Sequence, residues 1–591
     1  MERITLRFVK KRLIIIAISF ALIFFIYISR LWYLQITKFS YYSEKAKENI
    51  LKTFEIQAPR GLILDRNGKI IVDNQMSFSL MLTREFFKNK KATLNVLKKI
   101  FNLDSEYVKK KIRKYKGIPL SIPILLKKKL SFEEIAFLEA HRFKYPSLSI
   151  SKIPSRNYIF GDLFCHTVGY TGEISRKELK SKKFKDFKTG DVIGKYGLER
   201  EYNNLLTGKK GKKIVYVNSI GEITQVLKLI PPIRGKTLKT TLDFKLQKSA
   251  YESMGNRNGS VVAIDAKSGE ILCMVSKPTF NPNLLVTTVK KEDWIKLTTN
   301  PDKPFQNRAI GGLYSPGSVF KILMALIGLE TGKITTDTSF FCSGETRIGG
   351  RIAHCWRKGG HGWVKLKDAI INSCNIYFYN VGIRVGIDNI YKFGTLVGFG
   401  KKTGVDIPGE KKGLLPSRKW KWRVYHDKWY QGETVSVSIG QGQVLVTPIQ
   451  LALFMAKIAT NNSCLHPFFR YQKVKKIERK KIFDPKFLKI VINAMVKVVE
   501  EGTARKAKIK GIKVAGKTGT AQIINTKTAE KMEDYEKKYK ENSIFACFAP
   551  ADNPQIAVAV VVEHGGHGGS TAAPIARDVL ITYFRERGII K

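Results

Sequence analysis

From Leu13 to Ser29 the chain runs for seventeen residues without a charge, at the short end of what spans a bilayer as a helix. Arg3, Arg7, Lys10, Lys11 and Arg12 precede this run, and Trp32 and Tyr33 follow it. Basic flanks favour the cytoplasmic side and aromatic rings favour the interface. Residues 1–12 are therefore expected to form a cytoplasmic tail and residues 13–29 a single transmembrane helix. No small-x-small cleavage site follows, which predicts an uncleaved anchor. No other stretch is apolar for long enough to span, so the remainder should lie in the extracytoplasmic space, anchored to the cytoplasmic membrane.

The pattern then changes twice. From residue 39 to 236 it is mixed and highly charged, with short strands and helices. Glu55 to Asn74 alternates like strands around an Asn67-Gly68 turn, and Lys90 to Lys116 reads as amphipathic helix. From residue 237 to 591 the apolar runs fit one large domain. Gly259–Asp265 and Glu270–Ser276 read as a hairpin around Ala266–Gly269. Val319 to Gly328 reads as a buried helix, Ile544–Ala549 and Ile556–Glu563 as strands, and Ala573–Arg585 as a closing helix. These elements predict an α+β fold, with an antiparallel sheet covered by helices.

Composition adds one exclusion. Basic residues number 104 against 49 acidic, a formal charge of +55. The lysines are spread through every segment, and no helix-turn-helix, RNP-type or zinc-finger pattern accompanies them. The charge reads as a solvated surface facing anionic membrane and wall polymers, not as a nucleic-acid interface.

Candidate chemistry begins at Tyr314-Ser-Pro-Gly-Ser-Val-Phe-Lys321. Pro316 and Gly317 break the chain just before the buried helix, so Ser318 sits at a helix N-terminus, where free N–H groups favour developing negative charge. Lys321, three residues on, shares its face. A serine hydroxyl needs a base to become a nucleophile, and a buried lysine with a depressed pKa can be that base. Two further stretches join it: Ser373-Cys-Asn375 after a short helical pattern at Lys367–Asn372, and Lys517-Thr-Gly-Thr520 at the end of the apolar run Ile512–Gly516.

The three motifs, in this order, are the set found in penicillin-binding proteins and class A β-lactamases. Arg60-Gly-Leu-Ile-Leu-Asp-Arg-Asn-Gly68, Gly194-Lys-Tyr-Gly-Leu-Glu199, Thr240-Thr-Leu-Asp-Phe-Lys-Leu-Gln247 and Val262-Ala-Ile-Asp-Ala-Lys-Ser-Gly269 extend the likeness. So do Ile439-Gly-Gln-Gly442 and Ala549-Pro-Ala-Asp-Asn-Pro554. From about Arg60 to the C-terminus the chain resembles class B penicillin-binding proteins. Gly359-Gly-His-Gly362 and Ser438-Ile-Gly-Gln-Gly442 resemble most the elongation-type members, penicillin-binding protein 2.

The resemblance implies a non-catalytic pedestal (dimerisation-type) domain over 39–236 and a transpeptidase domain over 237–591. It implies a monofunctional peptidoglycan D,D-transpeptidase acting in wall elongation and cell shape, and a target of β-lactams. Ser318 would be the nucleophile and Lys321 its base. Ser373 and Lys517 would relay a proton to the leaving amine, and Asn375 would hold the substrate amide. Thr518 and Thr520 would bind the terminal carboxylate, and Gly519 would let backbone approach substrate. The backbone N–H groups of Ser318 and Thr520 would form the oxyanion hole. A cation at Lys517 would lower the pKa of Lys321. The implied partners are stem peptides on glycan made from lipid-linked precursor, a SEDS-family membrane polymerase and a rod-shape scaffold protein; no cofactor is implied for acyl transfer. The same triad would also serve a D,D-carboxypeptidase or β-lactamase (a hydrolase), a division-type transpeptidase, or a β-lactam sensor. No glutamate stands out as a deacylating base, and the twelve or so residues before the anchor leave no room for a sensor's effector.

Seven cysteines, an odd number, suit complete pairing poorly. Three of them and a histidine fall between the first two motifs as Cys342-x12-Cys355-x5-His361-x12-Cys374, a donor set for closed structural zinc. A disulfide between two of the three, and buried reduced thiols, are the other readings. In an extended triplet Cys374 would point away from the cleft while Ser373 and Asn375 point in, so that zinc would brace the triplet from behind. His354 is an alternative ligand. His564 and His567 lie among glycines and read as a cleft loop.

Overall fold

The computed structural model describes residues 2–217, 223–287, 291–348, 351–472, 478–521 and 540–590. Helix α1 (Glu2–Trp32) carries the apolar run with its Leu, Ile and Phe side chains exposed all round. With the wider π turn that follows, it gives one segment, Leu6–Thr37, long and apolar enough to cross a membrane. Helix α2 (Phe39–Ile50) continues it and leads directly into strand Leu51–Ile56.

In the next region, strands Ile63–Leu64 and Ile70–Leu82 flank the turn at Gly68, as the alternation predicts. Strand Ile70–Leu82 pairs antiparallel with Leu148–Tyr158 along its length. The single amphipathic helix expected over Lys90–Lys116 is instead two, Lys90–Lys99 and Ser105–Lys114. Asn102 takes a left-handed conformation between them, which turns Phe101 and Leu103 inward. These helices close a small core with Leu80, Ile124, Leu126 and Leu138. Glu199 is wholly buried between two arginines, 2.7 Å from Arg60 and 2.5 Å from Arg156. Burial pushes its carboxyl pKa up, but the two guanidinium groups outweigh that and hold it low.

The large C-terminal part is built on a five-stranded antiparallel sheet. Helix α3 (Phe244–Met254) precedes the hairpin of β1 (Gly259–Asp265) and β2 (Ile271–Lys277). The later strands are β3 (Ala515–Ala521), β4 (Asn542–Ala549) and β5 (Ile556–Val562), in the order β2-β1-β5-β4-β3. The helices that matter to the site are α4 (Phe320–Glu330), α5 (Asn375–Val397), α6 (Pro448–Thr460) and α7 (Ala572–Glu586). Strands β4 and β5 are almost fully buried because α6 and α7 both pack on them, which explains their near-continuous apolar sequence. The main core does not stop at residue 237. It runs on into Ile63, Ile71, Val72, Tyr158, Phe164 and Leu198, so the base of the preceding region shares the catalytic part's packing.

Candidate active site

Ser318 lies in a single 3-10 turn, Gly317–Val319, that leads straight into α4. Nearly every residue of α4 is buried, which fixes the turn against the domain. Gly317 has φ +54°, and a Cβ there would lie 2.9 Å from the carbonyl oxygen of Thr520. A Cβ on Gly519 would in turn lie 2.7 Å from the oxygen of Pro316. The nucleophile turn and β3 are therefore in backbone contact, and Gly519 is required by that turn rather than by substrate alone. Gly317 N–H also donates to Gly440 O at 3.0 Å, and the Gln441 amide donates to Thr520 O at 3.2 Å. The Ile439–Gly442 block thus locks the turn from the other side.

Lys321 is completely buried. Its Nζ donates to Ser373 O at 2.8 Å, Ser373 Oγ at 3.2 Å and Asn375 Oδ1 at 2.7 Å. Two of the three motifs therefore meet at one ammonium group. Burial pulls the Lys321 pKa down from 10.5 to about 8. Lys517, also fully buried, is pushed well below its usual range, first by burial and then by repulsion from Lys321. The depression of Lys321 thus comes chiefly from desolvation, and the mutual repulsion falls on Lys517.

On β3 the Thr518 hydroxyl pairs with that of Thr503 at 2.8 Å. Thr503 follows the helix Pro485–Glu500, in a Gly-Thr-Ala segment whose sequence reads only as a helix ending. Thr520 is half-buried beside the nucleophile turn.

The triplet is not extended. Ser373 has φ +55°, Cys374 caps α5, and Asn375 is that helix's first residue. Cys374 is nonetheless buried behind the site. Its sulfur and donor atoms of Cys342, Cys355 and His361 all lie within 4.8 Å of one another. His361 Nδ1 is 3.5 Å from both Cys342 Sγ and Cys355 Sγ. Three thiols and an imidazole are the donor chemistry of a closed zinc site, and the two His361–cysteine distances match the roughly 3.5–3.8 Å edges of a tetrahedron with Zn–S of about 2.3 Å and Zn–N of about 2.0 Å. A hydrogen bond from Cys374 holds the Cys355 thiol pKa well down. The cluster is joined to the triplet directly: Asn375 N–H donates to Cys355 Sγ at 3.4 Å, and the Asn375 side-chain amide donates to His354 O at 3.2 Å. His354 itself is surface-exposed and 3.5 Å from Glu345, outside the cluster. Among the described residues no metal-competent group includes His564 or His567.

A half-buried serine beside two buried lysines, held by an S-x-N triplet and a K-T-G strand on one antiparallel sheet, has a counterpart among known proteins. The family model described as the penicillin-binding protein transpeptidase domain matches residues 259–581. That of the penicillin-binding protein dimerisation domain matches residues 55–240. The peptidoglycan D,D-transpeptidase MrdA of Acinetobacter baumannii is 37% identical over 567 residues, spanning 93% of this chain and 84% of that protein. The chain belongs to the penicillin-binding protein transpeptidases. Solved members of the family superpose on it. Helicobacter pylori PBP2, in its complex with MreC, gives a TM-score of 0.77 at 29% identity, covering 92% of this chain and all of that one. A chain from a peptidoglycan synthase complex that coordinates polymerization and crosslinking gives 0.68 at 28% identity, over 98% of this chain and 99% of that one. The likeness to class B, elongation-type penicillin-binding proteins thus extends across both parts of the chain.

Proposed function

We propose that this chain is a serine D,D-transpeptidase that crosslinks peptidoglycan stem peptides through an acyl-enzyme on Ser318, in wall elongation and the maintenance of cell shape. The observation that carries the reading is Lys321, an amine with its pKa lowered to about 8, buried between the nucleophile turn and the Ser373–Asn375 triplet. Lys321 takes the Ser318 proton as Oγ attacks the carbonyl between the last two D-alanines. The oxyanion rests on the N–H groups of Ser318 and Thr520, whose close approach is set by Gly317 and Gly519. Ser373 and Lys517 return the proton to the departing D-alanine amine, and an ester remains on Ser318. Asn375 holds the substrate amide, and Thr518, oriented by Thr503, binds the terminal carboxylate together with Thr520. The amine of a second strand then attacks the ester, which forms the new amide and frees Ser318. β-Lactams acylate the same oxygen.

Residues 39–236 serve as pedestal and 237–591 as the catalytic domain, with residues 1–12 cytoplasmic and 13–29 the span, so that the site works in the extracytoplasmic space. Cys342, Cys355, His361 and Cys374 would hold a structural zinc, which supplies a crosslink behind the triplet and takes no part in acyl transfer. The Helicobacter pylori relative is assembled with MreC, and another relative belongs to a complex joining polymerization to crosslinking. By likeness, this chain works with a rod-shape scaffold and with a SEDS-family polymerase that makes glycan from lipid-linked precursor.

The test is acyl transfer by the full chain in detergent, given a pentapeptide donor and a labelled D-amino acid acceptor. D-Alanine release with label incorporation is expected, both lost in Ser318→Ala. Release without incorporation would instead assign a D,D-carboxypeptidase.

A further inference from the structure

The loop between two ligands of the cysteine–histidine cluster, Cys355 and His361, presents an unusual surface. Trp356, Arg357 and Lys358 are all exposed on it, Trp356 by 59%. A large apolar ring left in water is ordinarily free to move, but this one is pinned. Its indole N–H donates to Asn372 O at 3.0 Å, and its ring stands edge-on to His361 with centroids 5.6 Å apart. The loop backbone is tied at both ends as well, through Cys355 N–H to Gly344 O at 2.7 Å and His361 N–H to Cys342 O at 2.9 Å. Asn372 immediately precedes Ser373, which holds Lys321. The fixed indole is thus bonded to the residue next to Ser373. Arg357 and Lys358 beside it have no acidic partner among the described residues.

We infer that this loop is a substrate ledge. Trp356 packs on the donor stem peptide, and Arg357 and Lys358 receive a free carboxylate that the peptide carries upstream of the scissile bond. The inference rests on the transpeptidase reading and narrows its substrate to an anionic stem peptide. A held aromatic face contributes contact area at low entropic cost, because the rotamer is already fixed before substrate arrives. Two adjacent exposed cations then select charge rather than shape.

The test uses the full chain in detergent and two synthetic donors ending in D-Ala-D-Ala, one with the upstream carboxylate free and one with it amidated. D-Alanine release is followed against donor concentration. Trp356→Ala is expected to raise the half-saturating concentration about tenfold with the maximal rate little changed, since one aromatic contact is of that order. Trp356→Phe should recover most of the loss. The double variant Arg357→Gln/Lys358→Gln should bring the free-carboxylate donor to the level of the amidated one and leave the amidated one unaffected. Penicillin acylation of Ser318 should match wild type in all three. Variants that take both donors as wild type does overturn the ledge. Should Trp356→Ala fail to fold, the double variant decides alone through the ratio between the two donors. A wild-type chain that binds penicillin yet releases no D-alanine overturns the transpeptidase reading itself, and the ledge loses its substrate with it.

Discussion

Gly317→Ala separates the catalytic role of one backbone contact from its cost in stability. The residue has φ +54°, and its Cβ would sit 2.9 Å from Thr520 O and 3.2 Å from Thr520 N. An alanine in left-handed backbone costs roughly 1–2 kcal/mol. Relief of the contact also requires the Ser318 turn and β3 to part by about half an ångström to reach ordinary carbon–oxygen separation. In the proposed mechanism the N–H groups of Ser318 and Thr520 are the two oxyanion donors, so parting them would weaken one, at a cost of about 100-fold or more in acylation. Gly332 supplies the matched control. It has φ +64° just beyond α4, with nothing within 4 Å of its would-be Cβ. Gly332→Ala carries the same backbone strain without the clash. The assay is the second-order rate constant of acylation by a fluorescent penicillin, with thermal melts alongside. Both variants should melt lower, Gly317→Ala the further of the two because it carries the clash as well as the strain. Gly317→Ala should lose about two orders of magnitude in rate, and Gly332→Ala should stay within about twofold of wild type. Equal acylation rates in the two variants would refute the reasoning.

Other outcomes follow from the same geometry. Acylation needs the free amine of Lys321, so its rate should rise with pH and level off above a midpoint near 8; at pH 7 roughly a tenth of the amine is then free, against about 0.03% at the ordinary lysine value. A stopped-flow pH profile with a midpoint near 10 would contradict this. Glu199→Gln leaves Arg60 and Arg156 buried without their counter-charge, and should destabilise the pedestal by about 3–5 kcal/mol, seen by denaturant titration and earlier proteolysis. Metal analysis of the full chain should find one zinc per molecule, lost in Cys374→Ala together with much of the penicillin labelling. Metal-free wild type with Cys374→Ala behaving normally would contradict the zinc assignment.

Much of this was legible in the sequence, for reasons that differ by element. Strands β1, β2, β4 and β5 announce themselves because both faces are buried, and the result is unbroken apolar runs of strand length. Ser318, Lys321 and Lys517 stand out because charge and nucleophile sit within or at the edge of apolar runs. The cysteine–histidine set was readable as a donor set, although its spacing carries no geometry. Other features have no local signature. The left-handed turn at Ser373 follows from its bond to Lys321 and from the cysteines behind it, which are tertiary contacts. Thr503 matters through a hydroxyl fifteen positions away on β3. The break at Asn102 is set by burial of Phe101 and Leu103, which a helical periodicity over Lys90–Lys116 hides. The change of pattern near residue 237 marks a change of motif set, whereas the core packs straight across it.

The central claim, that Ser318 becomes acylated and the acyl group stays until an amine takes it, is tested most directly by intact mass and fluorescence after penicillin exposure and chase. The full chain and its Ser318→Ala variant would be compared in detergent. One stable adduct per chain, absent from the variant and persisting through the chase, is the expected result. Labelling that survives in Ser318→Ala would contradict the nucleophile, and rapid loss of label from wild type would contradict a transferase in favour of a β-lactamase.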